Sequence, residues 1–508
     1  MEMENLYQQQ SIQKLDKAYT FFMVPFFYKK GEWEQIYSKY DKWIPVEENL
    51  YKEDDVLYSY IMDVFNQEGT SSKSHLNIYR FKSDDLGANS KTFADRILGK
   101  QQLAVIGRNA EEKSNPQMIP FKLLNEGNYA PHLFVSLSAR VGLLTFSIEL
   151  TGESSIDQQI GLNYFLHKRN ETNKYQCVCM NPDKPEEAVY PDSPEALEKS
   201  IPKLWKMDQK NTRKRIDYIC WNLNDFVDCI LCTMGEASVE QKRICYFSRY
   251  RMHLFSFSSI QDINDTVSKT DIIPDLLRLS RCVNAKYMLP FDQMIEQGAM
   301  LQTYENIFFS SSIEGTAMMC IGKKNNSDFI ANIYTKFNRQ YLLIYILVLL
   351  QRYTLQSLEQ RMTDFESTDK LSDKELWNLI DVICKIKTNC YYTDVSIYTH
   401  HSQFYHLCCI NLHIPETFNE VGEKINLLKL TTDRRLQRIQ EKSERLQKLL
   451  NIVVALLTIA QVMQAVHELS TTTDDRYWAM YAGGICLFII VIAYIWSYYR
   501  DSIFNKFN

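Results

Sequence analysis

This chain has no glycine-rich phosphate loop: neither GxxxxGK followed by Ser or Thr, nor GxGxxG, occurs anywhere. GxSxG and HExxH are absent as well, and no carboxylate pair stands out by its spacing. A catalytic constellation is therefore missing, and the sequence is read as that of a non-enzyme. An excess of positive charge is also lacking. With 57 Lys and Arg against 62 Asp and Glu the net charge is −5, which gives no bulk electrostatic reason for direct nucleic-acid binding. The N-terminus opens on acidic residues and holds only a short apolar run at 19–28, unlike a secretory signal. Low-complexity tracts and long repeats are not visible. Thirteen cysteines, an odd number scattered along the chain, fit reduced thiols better than a disulfide framework. Cys229 and Cys232 form a CxxC without a second pair, and His400, His401, His406, Cys408 and Cys409 fall at irregular offsets. Buried thiols and surface histidines explain both groups more readily than zinc does, and the metal is unknown.

Formal charge is missing from one further place. The segment 477–499, YWAMYAGGICLFIIVIAYIWSYY, holds 23 consecutive uncharged residues, enough at helical rise to cross a hydrocarbon core of roughly 30 Å. A shorter apolar segment at 449–466 precedes it and carries Asn451, Thr458, Gln461 and Gln464, which lipid-facing positions rarely bear. Arg434, Arg435, Arg438, Lys442, Arg445 and Lys448 lie before the first segment, and Arg500 and Lys506 after the second. The connection between them has one Arg against Glu468, Asp474 and Asp475. This distribution predicts a multi-pass protein of the inner (plasma) membrane, in contact with lipid, with both termini cytoplasmic.

Before the hairpin the pattern changes once. Up to about residue 330, β-type runs recur at 75–81, 102–106, 132–138, 142–150, 175–180, 244–257 and 317–321, with helical patterns at 54–65, 193–208 and 271–279. Because regular crossover helices do not separate the strands, an α/β domain with a mixed or antiparallel sheet is expected. The run 341–350 is too short to span and predicts a buried core helix, with Arg339, Gln340, Gln351 and Arg352 at its solvent margins. A second helical stretch follows at 373–388. From residue 419, Val421, Ile425, Leu428, Thr432, Leu436, Ile439, Ser443, Leu446 and Leu450 are spaced by threes and fours, the stripe of a packing helix. The division is a cytoplasmic domain at 1–330, a helical layer at 331–418, a stalk at 419–448, a membrane helix at 449–468, an outer loop at 469–476, a second membrane helix at 477–499 and a tail at 500–508.

Glu444, Gln447, Asn451, Thr458, Gln461 and Glu468 share one side of the stalk and first membrane helix. They suit either a ring of copies lining water or hydrogen bonds between packed helices. In this order of parts, with YLLIYILVLLQRYTLQSL before the stalk, the chain resembles the CorA family of divalent-cation channels and transporters. The resemblance implies a homopentamer with the pore lined by Asn451, Thr458, Gln461 and Glu468. Magnesium-carrying members have Gly-Met-Asn at the outer end of the first membrane helix, where this chain reads AVHELSTTT. Glu468, Asp474 and Asp475 could instead form an outer acidic ring for a divalent cation.

A large divergent domain on such a pore resembles the CorA-like effectors of type III CRISPR systems. That resemblance implies an antiviral channel gated by a nucleotide second messenger, the S-adenosylmethionine–AMP conjugate, bound to the cytoplasmic domain, with ion leakage or membrane disruption as output. No covalent cofactor is expected. Candidate phosphate contacts are Arg140, Arg213, Lys214, Arg215, Arg249 and Arg251. The alternative is a magnesium, zinc or cobalt transporter regulated by its own ion.

Overall fold

The computed structural model describes residues 14–28, 42–46, 56–65, 76–82, 98–99, 103–107, 117–151, 154–167, 175–180, 218–221, 223–231, 244–246, 251–262, 267, 269–284, 287–323, 327–366, 377, 380–381, 383–384, 392–472, 481, 483–485, 488–489 and 491–492. The chain divides into two units, one of residues 1–371 and 378–424, the other of 372–377 and 425–508.

The first unit is built on one sheet. Its strands are β1 (Leu15–Tyr28), β2 (Trp43–Pro45), β3 (Leu76–Phe81), β4 (Leu103–Gly107), β5 (Gln117–Leu123), β6 (His132–Ser136), β7 (Val141–Leu150), β8 (Tyr175–Met180), β9 (Tyr218–Trp221), β10 (Ile244–Tyr246), β11 (His253–Asp262), β12 (Met300–Tyr304), β13 (Ile307–Ser311) and β14 (Gly315–Lys323). The main path runs β12-β13-β14-β11-β1-β7-β5-β4-β8-β9, with β10 on β1 and a branch of β6, β3 and β2 off β7. Among the described residues β11 and β14 form the one parallel pair; the sheet is mixed, as expected. The helices are α1 (Ser59–Phe65), α2 (Ile156–Leu166), α3 (Leu223–Ile230), α4 (Lys269–Arg281), α5 (Phe291–Glu296), α6 (Ser327–Lys336), α7 (Leu342–Glu366), α8 (Thr399–Asn411) and α9 (Ile414–Thr472), with a π-helical turn at Phe337–Tyr341 between α6 and α7.

The apolar run at 19–28 is the C-terminal part of β1, a strand buried on both faces. β7 pairs with it from Tyr19 to Phe27. On the other edge β11 reaches Met23 and β10 begins at Phe26. Pro25, which has no N–H to donate, lies where one neighbour gives way to the next. The expected strand at 244–257 is accordingly two strands, because β1 is long enough to take both.

Alternate β1 residues serve two cores. Phe22, Val24 and Phe26 join Phe146, Leu254 and residues of α2, α3 and α4 in one cluster; Phe22 stacks on Phe146 at 5.4 Å, and Phe226 of α3 meets Phe146 edge-on at 5.2 Å. On the opposite face Phe255 lies 4.6 Å from Phe337 and 5.2 Å from Tyr345, and Phe309 lies 4.9 Å from Phe404 of α8. Helices thus cover both faces. α2 starts with a capping box between Ser155 and Gln158. Its buried amides reach the sheet: Gln159 Nε2 donates to Phe257 O at 3.0 Å, and Asn163 Nδ2 to Ser256 Oγ at 2.8 Å. Buried polar groups so satisfied fix the helix's position without an orphaned dipole.

Gln340 and Gln351 depart from expectation. Both are buried rather than at a solvent margin, and Gln351 Nε2 donates to Tyr405 Oη at 3.1 Å, which makes an amide tolerable there. The expected helix at 54–65 begins only at Ser59, since Leu57 bridges to Ser396 as extended chain. The expected helix at 193–208 lies outside the described residues, and of 373–388 only residues 377, 380–381 and 383–384 are described, all helical.

Gly142 pairs with Phe26, and a β-carbon at Gly142 would lie 2.1 Å from the Phe26 ring. Gly142→Ala is expected to destabilise the protein by about 1–3 kcal/mol through overpacking, measured as a lowered midpoint in thermal unfolding of the detergent-solubilised chain.

Candidate functional site

Among the described residues two helices are long and apolar enough to cross a membrane, and their surroundings differ completely. In the helical stretch Asn332–Thr363, 89% of the most apolar window is buried, whereas in Ile414–Ala465 none of it is. The first is the core helix α7. The second belongs to α9, whose 59 residues form one unbroken helix, about 88 Å long at 1.5 Å per residue. Along its apolar stripe Val421, Ile425, Leu428 and Thr432 are buried, but Leu436 is 37% exposed, Ile439 52%, Leu446 67% and Leu450 63%. Ile452, Val453, Leu456 and Leu457 continue that exposed apolar surface. Beyond it, residues 481, 483–485, 488–489 and 491–492 are helical, with Tyr481, Ile485, Phe488 and Ile489 exposed.

The polar side chains share this helix. Asn451, Gln461 and Glu468 are exposed and Thr458 is half-buried. Thr458 Oγ1 donates to Val454 O at 2.8 Å, so its hydroxyl proton is satisfied within the helix while its lone pairs stay available. Asp474 and Asp475 lie outside the described residues.

Of the candidate phosphate contacts, Arg213, Lys214, Arg215 and Arg249 lie outside the described residues. Arg251 is exposed and reaches Glu314 at 3.5 Å; a pair this open contributes little to stability. Arg140 is different. It closes the turn between β6 and β7 with φ 57°, a left-handed conformation that costs a residue with a β-carbon about 1–2 kcal/mol. Its carbonyl accepts from Tyr28 N at 3.2 Å, and Tyr28 Oη donates to Ser136 O at 3.1 Å. α7 closes over the same turn: Ser357 Oγ donates to Ala139 O at 2.8 Å, and Arg361 Nη1 to Ser138 O at 3.5 Å. Burial and then the positive charge of Arg140 lower the Arg361 pKa to about 10. Nothing in the local sequence around Arg361 marks it, since its neighbour lies more than two hundred positions away.

Among the described residues no three His, Cys, Asp or Glu side chains stand together in a metal-holding group. Cys229 lies in α3 and Cys232 lies outside the described residues. On α8, Cys408 and Cys409 are buried, which raises both thiol pKa values, that of Cys409 to about 12. His406 is exposed and His400 half-buried. His401 is buried with neither ring nitrogen hydrogen-bonded, its ring 4.1 Å from that of His400 and 4.9 Å from Tyr341. Burial, then His400 and Lys336, lower its pKa to about 3. Burial acts likewise on His253, which hydrogen-bonds Tyr353 and titrates at about 3, and on His132 at about 4.

No family model matches the chain, and no curated protein matches it either. Among solved structures the chain is similar to the CorA magnesium transporter from Methanocaldococcus jannaschii, at 12% identity over 51% of this chain and 92% of that one, with a TM-score of 0.18. A superposition that loose carries no structural argument.

Three histidines held neutral by burial make the fold acid-labile. Their folded pKa values lie below the ordinary 6.5, so the unfolded chain binds more protons between pH 6.5 and about 3. The stability they lend is fully present above pH 6.5 and is lost as pH falls through that window, by up to about 1.4 kcal/mol per pH unit for each. Chemical denaturation at a series of pH values is expected to show this decline, and His401→Phe to flatten it.

Proposed function

We propose that this chain is a CorA-like homo-oligomeric membrane channel, a pentamer by the family resemblance, with its N-terminal unit and both termini in the cytoplasm. The observation that carries the proposal is the change of environment along α9, from a buried Val421 to a wholly uncovered apolar length around Leu456. An apolar surface of that extent is not sustained in water. Lipid around the bundle and further copies of α9 inside it would cover this helix on both sides. In such a bundle Asn451, Thr458, Gln461 and Glu468 face the axis, where water meets the polar groups that lipid would leave unsatisfied. Asp474 and Asp475 form the outer acidic ring that concentrates cations.

The output is ion leakage or membrane disruption, and the trigger is a nucleotide second messenger, S-adenosylmethionine–AMP, bound by the cytoplasmic unit as in the type III CRISPR effectors that the sequence resembles. Two features favour this over constitutive magnesium uptake. AVHELSTTT stands where magnesium-carrying members have Gly-Met-Asn, and the folded part before α9 is far larger than ion coordination requires. A divalent-cation transporter regulated by its own ion is the second reading, favoured only by the acidic loop.

Ion flux from liposomes carrying the purified chain separates the two. Flux is expected to begin on addition of the conjugate and not of ATP. Asn451→Leu is expected to cut that flux several-fold while the oligomer stays intact by cross-linking. Magnesium flux without any nucleotide, together with no binding of the conjugate by calorimetry, would select the transporter.

A further inference from the structure

The turn of residues 136–140 brings two cations to one place, and among the described residues neither is paired with an anion. Arg140 stands on the turn, and Arg361 reaches the turn carbonyl of Ser138 from α7. Neither takes part in an ion pair among the described residues. Arg361 donates one long hydrogen bond and Arg140 has none from its guanidinium, so most of their N–H donors are unused. Both side chains are half-buried, which makes the repulsion between them greater than between solvated charges. The Arg361 pKa, lowered by burial and by Arg140, reports the same repulsion. Ser136 and Ser138, their hydroxyls 3.5 Å apart, add donors at the turn. The backbone cost at Arg140 would vanish with glycine, yet a guanidinium stands there.

We propose that Arg140 and Arg361 form a binding site for a phosphate-bearing ligand, whose phosphate sits between the two guanidinium groups above the turn of residues 136–140. Paired guanidinium forks match tetrahedral oxyanions by charge and by bidentate geometry. The helix that carries Arg361 also holds the chain around the first turns of α9: Arg352 Nη1 donates at 3.3 Å to the carbonyl of Leu412, which caps the end of α8, and Glu359, two residues from Arg361, pairs with Lys424 of α9. A phosphate drawn onto Arg361 therefore acts on the element that grips α9. That this phosphate belongs to the gating messenger rests on the proposed channel function; the site itself does not.

Thermal unfolding of the full-length protein in detergent tests the site with three probes: inorganic pyrophosphate, AMP, and vesicles of phosphatidylglycerol compared with phosphatidylcholine. The wild type is expected to gain several degrees with at least one phosphate probe. Arg140→Gln and Arg361→Gln are each expected to weaken binding about tenfold. Arg140→Gly relieves both the backbone and the charge repulsion, so its midpoint is expected to rise without anion and to show no further gain with it. A response to phosphatidylglycerol alone supports the site and assigns it to a lipid headgroup; a response to pyrophosphate or AMP assigns it to a soluble ligand. No gain in the wild type with any probe, or an equal gain in Arg140→Gly, overturns the site. Stabilisation by AMP without flux on addition of the conjugate would leave the site standing and remove the channel, whereas nucleotide-gated flux unchanged in Arg361→Gln would remove the site's link to gating.

Discussion

A long apolar stretch of helix must find apolar surroundings, and the two such stretches among the described residues find them in different places. α7 finds them in its own fold. Leu342 to Leu350 are all buried, packed over a sheet face whose aromatic rings supply the contact. α9 finds such cover only at its start, and past Leu436 most of its described apolar side chains are exposed. Hydrophobic burial stabilises by roughly 25 cal/mol per Å², so leaving many leucines and valines of α9 in water would be a large penalty for a fold whose net stability is small. Among the described residues nothing covers this length of α9, and under the proposed function lipid and other apolar helices would supply the missing surroundings.

A helix as apolar as α7 needs an apolar face at least as long, and β1, β11, β13 and β14 supply one by carrying aromatic and aliphatic side chains on both faces. The opposite face then needs its own cover, which α2, α3 and α4 provide with Phe226, Ile160 and Leu276. Pro25 and Gly142 are the local accommodations: one sits where β1 changes neighbours, and the other leaves room for the Phe26 ring.

How much of this could be read from the sequence depends on whether the deciding contact was local. Most strand runs, the buried helix before the stalk and the long terminal helix follow from composition and spacing, because those depend on a residue's own neighbours. β1 did not show as a strand, since burial on both faces erases the period-two alternation and leaves only an apolar run. Gln340 and Gln351 looked like a solvent margin because an amide's burial depends on a partner elsewhere, here Tyr405 for Gln351. Arg140 was visible as a cation on a β region, one among several. Its pairing with Arg361 was not, because tertiary packing alone brings α7 onto the β6–β7 turn.

The same packing sets what a ligand at that turn can do. Two like charges held close raise the free energy of the ligand-free arrangement, and an anion relieves it; a conformational equilibrium responds only if the relief differs between its two states. α7 is locked in the core over most of its length, so the part able to differ is its end, where Ser357, Glu359 and Arg361 meet the turn and the start of α9. The tie there is an ion pair of half-exposed groups, Glu359 with Lys424, which Glu420 also contacts. Such pairs hold weakly and exchange partners at small cost. A strong tie would fix α9 in one arrangement, and the absence of any tie would leave it indifferent to the anion. A weak pair two residues from the proposed phosphate contact is a tie that a ligand with a differential affinity of about 1 kcal/mol between two states can shift.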